Sequence, residues 1–450
     1  MRHDAQGLVL TIASDAAVAA YDHFVMGYLK NRLDLPQRLK ALLAADPEFG
    51  LGHCLQGYLM MLGYKQVLVP VAIKCEKTAR AFVTHATPRE RAHVEALAAW
   101  IGGDMFRAIA IWESILRDHP RDVIAFRLVH FIEFWMGRPA DMVASVERVM
   151  PAWSEADGSV YATMLACRCF AQEEAGNLIA AEPAGRRAIE IDPGDLWAAH
   201  GVAHVMEMQG RRTEGLLWLS MLAPNWEGGN NLQHHLWWHA ALYHLEQGDT
   251  AAVLDLYDSR FRNQDSPITI AQPDVYIDVQ NACAMLFRLE RQGVEVGERW
   301  VELADKAEAR IGDCLSVFTL PHWMMALTAT GRVVAAARMI EAMRGFAGGA
   351  GTIAPVVRDF ALPVCEALVA HRAGRFAEAV ALMRPALGGM HRMGGSHAQQ
   401  DVLEQIFVDA ALKADAGTDL HLIVERIAGR RPLPPSRMIG WRAAAARVAL

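Results

Sequence analysis

The chain has 450 residues, of which 53% are hydrophobic and 21% are charged, and its formal net charge is -7. This composition excludes a disordered chain, and the negative charge, without any run of Lys or Arg longer than two, argues against nucleic acid and membrane surfaces as partners. Because no stretch reaches the roughly 18 apolar residues of a membrane span, and the apolar run near the N-terminus ends at Ser14, we expect a cytoplasmic protein.

A turn that contains glycine, followed by a new amphipathic helix, recurs along the chain. Seven such turns are clear, and the long interval between Gly248 and Gly331 contains a degenerate one. The turn glycines are Gly103, Gly137, Gly176, Gly210, Gly248, Gly293, Gly331 and Gly374. Gly103 and Gly137 are 34 residues apart, as are Gly176 and Gly210, and 34 residues is the tetratricopeptide period. The pattern predicts a stack of helix pairs.

The predicted fold class is all-α: a tetratricopeptide-like superhelix, or α-solenoid, of about ten pairs of a helix A and a helix B. Residues 1–48 are predicted to form N-terminal capping helices, 49–429 the repeat superhelix, and 430–450 a C-terminal capping tail. The helices A are expected near 49–63, 89–102, 122–136, 158–175, 195–209, 230–247, 274–292, 316–330, 358–373 and 397–413. About ten pairs are enough for more than one superhelical turn, so the array has the length to curl toward a closed ring.

Helices A line the concave surface of such a superhelix, so the polar residues on them are candidate site residues. The stretch from Trp226 to Gly248 is exceptional because it contains four of the 18 histidines of the chain. One face of its helix presents His235 and His239, and Trp238 lies on the packed side. The helix before Gly210 presents His200, His204 and Glu207 on one face.

The pairs His200/His204 and His235/His239 place imidazoles one helical turn apart, which is the spacing of two metal ligands on one helix. These four histidines are therefore the predicted metal ligands, for a divalent ion. If the protein is an enzyme, the predicted catalytic residues are His204, Glu207, His235 and His239, because imidazoles beside carboxylates can transfer protons without a metal.

Further polar residues on other helices A are expected to complete a common pocket. The helix before Gly137 offers His130 and Glu133, and later helices offer aspartates and histidines at similar positions. Near the C-terminus, a Gly-Gly-Ser segment before a helix start predicts a small anion site, with an ordinary N-cap as the alternative. The predicted ligand-binding residues are His130, Glu133, Trp238, Asp278, His322, Ser396, His397 and Asp401.

Two blocks of sequence resemble the tetratricopeptide repeat protein 38 family. The first is HGVAHVMEMQGR at 200–211 with HLWWHAAL at 235–242, and the second is GSHAQQDV at 395–402. The resemblance extends over nearly the whole chain and implies a helical repeat array. It implies no particular activity.

Three functions are compatible with this pattern. The first is a binding module that holds a small molecule or a short peptide in a His/Trp/Glu-lined concave pocket. The second is a hydrolase or lyase of a small metabolite that uses His/Glu acid–base chemistry, with or without a divalent metal. The third is a scaffold for protein assembly. The concentration of histidine on the inner helices favours the first two, and the rarity of catalytic tetratricopeptide arrays favours binding over catalysis.

Overall fold

The computed structural model describes residues 1–449 and confirms an all-α helical-repeat fold. The chain begins with two short antiparallel strands, in which Arg2 pairs with Leu10 and His3 with Val9. Almost all remaining ordered backbone is helical. In the part of the chain that the structure describes, no helix has both the length and the apolar character needed to cross a membrane.

The helices follow one another with short connections. The first part of the chain contains β1 (Arg2–His3), β2 (Val9–Leu10), α1 (Asp15–Leu29), α2 (Leu35–Ala45), α3 (Gly50–Leu62), α4 (Val69–Phe82), α5 (Pro88–Ile101) and α6 (Met105–Asp118). The middle contains α7 (Val123–Trp135), α8 (Pro139–Val149), α9 (Ser159–Glu174), α10 (Leu178–Ile191), α11 (Leu196–Gln209), α12 (Arg212–Leu222), α13 (Leu232–Glu246), α14 (Thr250–Leu256), α15 (Pro267–Ala271) and α16 (Tyr276–Arg291). The last part contains α17 (Arg299–Ala309), α18 (Thr319–Ala329), α19 (Val333–Ala347), α20 (Ala354–Val356), α21 (Leu362–Arg372), α22 (Phe376–Met383), α23 (His397–Lys413), α24 (Gly417–Ala428) and α25 (Arg442–Val448).

Short 3-10 and π-helical turns complete the backbone. The π-helical turns are Tyr257–Phe261, which continues α14, and Val357–Ala361, which joins α20 to α21. The 3-10 turns are Gln66–Leu68, Met150–Ala152, Glu155–Asp157, Ala223–Asn225, Met390–Met393 and Pro435–Arg437. The inner helices of the repeat pairs are α3, α5, α7, α9, α11, α13, α16, α18, α21 and α23, and they lie where the helices A are predicted.

Most repeat pairs turn at a glycine in the left-handed conformation. Gly210 ends α11 with φ 70° and ψ 25°, a conformation that costs a residue with a Cβ about 1–2 kcal/mol. The other predicted turn glycines also have positive φ. The first and last pairs turn instead at Tyr64, with φ 47°, and Asp415, with φ 53°. These two pairs therefore lack the glycine by which the others are recognised in the sequence.

Inner and outer helices differ in burial. In α11 only Glu207 and Gln209 are half-buried, and every other residue is buried. The outer helix α12 buries one stripe that contains Trp218 and Leu222, and it exposes Leu217 to solvent. A helix with one apolar stripe packs on one side, whereas α11 is enclosed on nearly all sides. Polar groups on inner helices must therefore find partners inside the protein.

The superhelix closes on itself because early repeats contact late ones. The backbone N–H of Thr352 donates a hydrogen bond to the carbonyl oxygen of Gly103 at 2.9 Å. The ring of Trp135 at the end of α7 lies 6.2 Å from the ring of Phe318. Inner helices of the two halves, such as α11 and α23, also touch directly. The concave side is therefore filled by packed helices and does not form an open groove.

Two apolar cores meet at α13. Leu236, Ala240 and Tyr243 belong to the core of the first half of the chain, and Trp238 and Leu242 belong to the core of the second half. The remaining face of α13 carries its histidines. Polar atoms contributed by both halves of the chain can therefore meet along this helix without contact with solvent.

Candidate metal centre

Two inner helices bring four histidines together. Helix α11 contributes His200 and His204, and α13 contributes His235 and His239. A four-residue spacing places each pair on one helix face, and α11 packs against α13. One ring nitrogen from each histidine lies within 4.8 Å of one from each of the others. All four side chains are buried, so the helices form a closed cluster of imidazoles.

The closest approach within this four-histidine cluster is along α11. The Nε2 atoms of His200 and His204 are 2.8 Å apart. Between the two helices, the ring centroids of His204 and His239 are 4.5 Å apart, and those of His200 and His235 are 4.8 Å apart. Two imidazole nitrogens that are 2.8 Å apart repel each other unless a proton or a cation lies between their lone pairs.

The outer nitrogens of the α13 imidazoles face oxygen acceptors. Nδ1 of His239 donates a hydrogen bond to Oε2 of Glu207 at 3.1 Å, and Nδ1 of His235 donates to Oδ1 of Asn281 at 3.0 Å. A proton held on Nδ1 leaves the lone pair of Nε2 directed into the cluster. Nε2 of His239 has no hydrogen-bond partner in the protein. This is the arrangement by which proteins orient histidines that bind metals.

Burial keeps three histidines of the cluster neutral. Burial, and next the neighbouring imidazoles, hold the pKa of His200 and of His204 well below 6.5. Burial and the neighbouring His239 do the same for the pKa of His235. Neutral imidazole is the form that binds metal ions, so His200, His204 and His235 are in their ligating state at neutral pH.

Two carboxyl groups that sequence reasoning missed adjoin this cluster. Glu173 and Glu174 end α9, and an oxygen of each lies within 4.8 Å of a nitrogen of His204. Burial raises the pKa of Glu173 to about 8, and burial and the adjacent carboxyl raise that of Glu174 well above 4.5. In the absence of a cation these carboxyl groups are therefore largely protonated at neutral pH.

The repeat register contains a signal for one of these residues. Glu173 lies three residues before its turn glycine, Gly176, as Glu207 lies three residues before Gly210. Equivalent positions of successive inner helices point to the same side of a superhelix. Alignment of the turns therefore places Glu173 beside the histidines, although a glutamate near a helix end alone indicates a solvent-exposed residue.

Glu207 connects the four-histidine cluster to a small pocket. The pocket lies between α11, α13, α16, α23 and the C-terminal segment. Its charged lining residues are Glu207, Arg212, Glu246, Arg288, Asp401 and Arg431. Acidic and basic groups occur there in equal number, and several of them pair: Arg212 lies 2.7 Å from Glu246, and Arg288 lies 3.2 Å from Asp401.

Trp238 and His130 lie at opposite sides of the four-histidine cluster. The ring of Trp238 stacks on His235 with centroids 5.2 Å apart and an interplanar angle of 14°. His130 is separated from the cluster by Phe170, whose centroid is 6.0 Å from His130 and 5.2 Å from His200. Neither ring nitrogen of His130 has a partner.

Glu133 does not join the histidines, which corrects the expectation of a common pocket. Its buried carboxyl group experiences the charges of Glu113, Asp141, Arg138 and Arg148, which belong to the outer helices and their turn. Burial, and next Glu113, raise its pKa to about 8. Residues three apart on a helix differ by about 60° in direction, enough to turn Glu133 away from the face of His130.

Asp278 and His322 have structural partners away from the four-histidine cluster. Asp278 accepts hydrogen bonds from Nδ1 of His234 at 3.0 Å and from Asn231 at 3.2 Å. Nδ1 of His322 donates to the carbonyl oxygen of Phe318 at 2.8 Å, one turn earlier in α18. Nε2 of His322 has no partner, so the expectation that these residues close one pocket with the cluster stays a prediction.

Ser396 forms a helix cap, which corrects its prediction as an anion-binding residue. Its hydroxyl oxygen accepts from the backbone N–H of Gln399 at 3.3 Å, and its own N–H donates to Oε1 of Gln399 at 3.0 Å. The backbone donor and the hydroxyl are thus used inside the protein.

His397 and Asp401 occupy different surroundings in α23. His397 stands at the first position of the helix with Nδ1 unpartnered, and its backbone N–H lies near Glu174. Asp401 accepts hydrogen bonds from Trp441 at 2.8 Å and from Arg288 at 3.2 Å. Of the two, Asp401 lines the small pocket beside Glu207.

The paired helices, their turns and their packing define a helical-repeat protein of the tetratricopeptide type. No protein-family model matches the chain. The chain is similar to the solved structure of a human IFIT1 dimer with m7Gppp-AAAA, with a TM-score of 0.38 and 12% identity, covering 98% of this chain and 95% of that chain. It is also similar to a structure of Naa15/Naa10 bound to HypK-THB, with a TM-score of 0.26 and 13% identity, covering 92% of this chain and 68% of that chain.

Proposed function

We propose that this chain is a metal-binding member of the tetratricopeptide repeat protein 38 family. The ion is a divalent transition metal, and its ligands are His200, His204, His235 and His239. Support for the family comes from the two sequence blocks around these histidines and around His397. We also propose that the protein is cytoplasmic, as the sequence predicts.

The observation that carries the metal proposal is the convergence of four buried imidazoles. Their ring nitrogens lie within 4.8 Å of one another, and the Nδ1 atoms of His235 and His239 are held by oxygen acceptors. Four neutral imidazoles without a central proton or cation would bury lone pairs against each other at a cost in folding energy. A divalent ion at the centre removes that cost.

The spacing of the nitrogens suits a small ion. Zinc holds imidazole nitrogens at about 2.0–2.1 Å, which in a tetrahedron separates them by about 3.3 Å. The separations here run from 2.8 Å between His200 and His204 up to 4.8 Å, so small side-chain rotations would complete the coordination. Imidazole ligands favour zinc, copper, iron and nickel over magnesium and calcium.

Metal analysis of the purified full-length chain tests this proposal. The protein is purified without a histidine tag, dialysed against zinc, freed of excess ion, and analysed by inductively coupled plasma mass spectrometry. We expect at least one tightly bound equivalent in the wild type, and we expect the variant with His235→Gln and His239→Gln to lose it. Both substitutions keep a polar side chain of similar size.

The matched control is His421→Gln, because His421 is 59% exposed and lies on the outer helix α24. It should retain the metal content of the wild type. If the wild type binds no zinc, cobalt or copper, the proposed function is wrong. It is also wrong if the variant at His235 and His239 retains the same amount of metal with a normal helical spectrum.

A second candidate function, binding or conversion of a small molecule, is favoured by the pocket beside Glu207. That residue contacts both His239 and the pocket lined by Arg288, Arg431 and Asp401. A metal ion next to a pocket of mixed charge fits the hydrolase or lyase alternative. The filled concave side favours a small molecule over a short peptide, and the scaffold alternative leaves the four-histidine cluster without a role.

Thermal shift measurements with a panel of small charged metabolites test this second function. A ligand of the pocket should raise the melting temperature of the metal-loaded wild type. The effect should be lost in Arg431→Gln, which removes one charge from the pocket wall. Equal shifts in the wild type and in that variant would place the ligand elsewhere.

A further inference from the structure

Nδ1 of His204 faces two carboxyl groups on the side opposite the four-histidine cluster. It lies 3.5 Å from Oε2 of Glu173 and 3.9 Å from Oε1 of Glu174. The three side chains are buried, with exposed fractions of 1%, 0% and 7% for His204, Glu173 and Glu174. Nε2 of the same imidazole faces His200 at 2.8 Å. His204 therefore presents one nitrogen to each of two groups of possible ligands.

The two carboxyl groups face each other, and only Glu174 is near a backbone donor, the N–H of His397. Both oxygens of Glu173 and Oε1 of Glu174 have no hydrogen-bond partner, although they are enclosed by protein. A buried carboxylate without a partner is among the most costly arrangements in a folded protein. Either protons or a cation must satisfy these oxygens.

A role in orienting His204 does not account for this arrangement. Glu207 and Asn281 orient His239 and His235 from 3.1 and 3.0 Å, each as a single acceptor. Glu173 and Glu174 are two acceptors, and they stand too far from Nδ1 for good hydrogen bonds. Ligands bound to one ion at about 2.0–2.2 Å are separated by about 3–4 Å, which matches the distances at His204.

We propose that Glu173, Glu174 and Nδ1 of His204 bind a second divalent metal ion, and that the imidazole of His204 bridges it to the ion in the four-histidine cluster. This inference rests on the proposed function, because the bridge requires the first ion. When the second ion binds, Nδ1 of His204 and the two carboxyl groups give up their protons to the solvent, and no electrons are transferred.

The charges support two ions over one. Four neutral histidines bring no negative charge, whereas Glu173, Glu174 and Glu207 together can bring three. Glu173, Glu174 and a deprotonated His204 bridge would place three negative charges around the second ion. Such carboxylates offset the charge of an ion in low-dielectric surroundings, which the neutral histidines alone do not.

Metal stoichiometry separates this inference from the proposed function. Cobalt is titrated into the metal-free full-length protein, and bound cobalt is counted by mass spectrometry and by visible absorption. We expect two equivalents in the wild type and one in the double variant Glu173→Gln and Glu174→Gln. The control is Glu341→Gln with Glu425→Gln, whose side chains are 77% and 69% exposed, and it should bind two.

The possible results have distinct meanings. One equivalent in both the wild type and the double variant would overturn the second site and leave the four-histidine site standing. Two equivalents in both would also overturn it, because the second ion would lie elsewhere. No bound cobalt in the wild type would overturn the proposed function itself.

A measurement on the wild type alone keeps the inference testable if the double variant does not fold. Copper(II) is titrated and followed by electron paramagnetic resonance. Two copper ions bridged by one imidazole couple their spins, so the signal should fall below the additive value during addition of the second equivalent. An additive signal up to two equivalents would overturn the bridge.

Discussion

Two stretches stand out in the sequence, the histidine-rich helix α13 and the start of α23, and their polar side chains have different surroundings in the structure. In α13, the inner nitrogens of His235 and His239 face other imidazoles, and Nε2 of His239 has no partner. At the start of α23, Ser396 and Gln399 satisfy each other in a capping box. Gln400 donates a hydrogen bond from Nε2 to the carbonyl oxygen of Gly395 at 2.8 Å.

This comparison separates a candidate site from a structural motif. Both stretches contain histidine and other polar residues on inner helices, and both belong to blocks that resemble one family. They differ in where the unpartnered atoms lie. In α13 the inner nitrogens face other imidazoles, whereas in α23 Ser396 and Gln399 have partners and the unpartnered Nδ1 of His397 lies apart from the four-histidine cluster. Unpartnered polar atoms that converge from several side chains suit a shared ligand, whereas those that complete a cap contribute to stability.

The largest expected effect is a loss of stability on substitution of Gly394, which tests whether the segment before α23 is part of the packed structure. Gly394 has φ 87° and ψ -165°, and a Cβ there would lie 2.5 Å from the carbonyl oxygen of Trp135. Gly394→Ala should lower the free energy of unfolding by about 2–5 kcal/mol, since this conformation costs about 1–3 kcal/mol and overpacking a similar amount. Urea denaturation measures the loss.

Gly293→Ala is the matched control for Gly394→Ala. Gly293 also has positive φ, 75°, but a Cβ there would meet no atom within 4 Å. Gly293→Ala should lower the free energy of unfolding by only about 1–2 kcal/mol, because alanine is strained in the left-handed conformation. Equal losses in the two variants would contradict the tight packing of Gly394 against α7.

The next largest effect tests the α13 stretch. Zinc at one hundred times its dissociation constant should stabilise the wild type by about 2.7 kcal/mol, because the ion binds the folded state. His239→Gln should remove most of this gain and change the stability of the metal-free protein much less. Thermal unfolding with and without zinc measures both. A zinc-dependent gain that survives in the variant would contradict a role of His239 as a ligand.

The pH dependence of stability tests the carboxyl groups beside His204. Because burial raises the pKa of Glu173 to about 8, its stabilising contribution is fully present below its unfolded pKa of 4.5 and is lost as the pH rises through 8. Between pH 6.5 and 8, the metal-free wild type should lose about 1–2 kcal/mol relative to the variant Glu173→Gln with Glu174→Gln.

Between pH 6.5 and 8, titration of the buried histidines should change the stability little. The folded pKa values of His200, His204 and His235 are lowered, so their contribution is lost as the pH falls below the unfolded value of 6.5 and is nearly constant above it. Urea denaturation of both metal-free proteins at pH 6.5 and pH 8 measures the difference. Parallel behaviour of the two proteins would show that the carboxyl groups are ionised in the folded state.

The smallest expected effect concerns Ser396. Ser396→Ala removes the N-cap of α23 and should cost about 1 kcal/mol, as for other helix caps. The metal content should stay that of the wild type, because the hydroxyl bonds only within the cap. A loss of bound metal in this variant, with stability nearly unchanged, would show that the α23 stretch belongs to the site after all.

The sequence predicted the helices well because their signals are local. Asp195 caps α11 by accepting from the backbone N–H of Ala198 at 2.9 Å, and Gly210 ends it. The pairing of histidines along one helix is also local, since it depends on a four-residue spacing.

The membership of the candidate site was harder to predict. Glu133 and Glu173 are both glutamates near the end of an inner helix, yet only Glu173 lies beside His204. A difference of about 60° in the direction of a side chain around the helix axis decides whether the glutamate reaches the histidines. The sequence pattern does not resolve directions that finely. Asp278 shares a helix with Asn281, and only Asn281 reaches the four-histidine cluster.

The sequence by itself determined the repeat architecture, the approximate positions of the inner helices and the two pairs of histidines, because each follows from interactions between residues close in the chain. Only the tertiary structure decided that α11 faces α13 at the distance of a metal site, that α9 adds Glu173 and Glu174, and that α23 closes the concave side. These outcomes depend on how helices from distant repeats pack, and packing is set by the combined shape of many side chains.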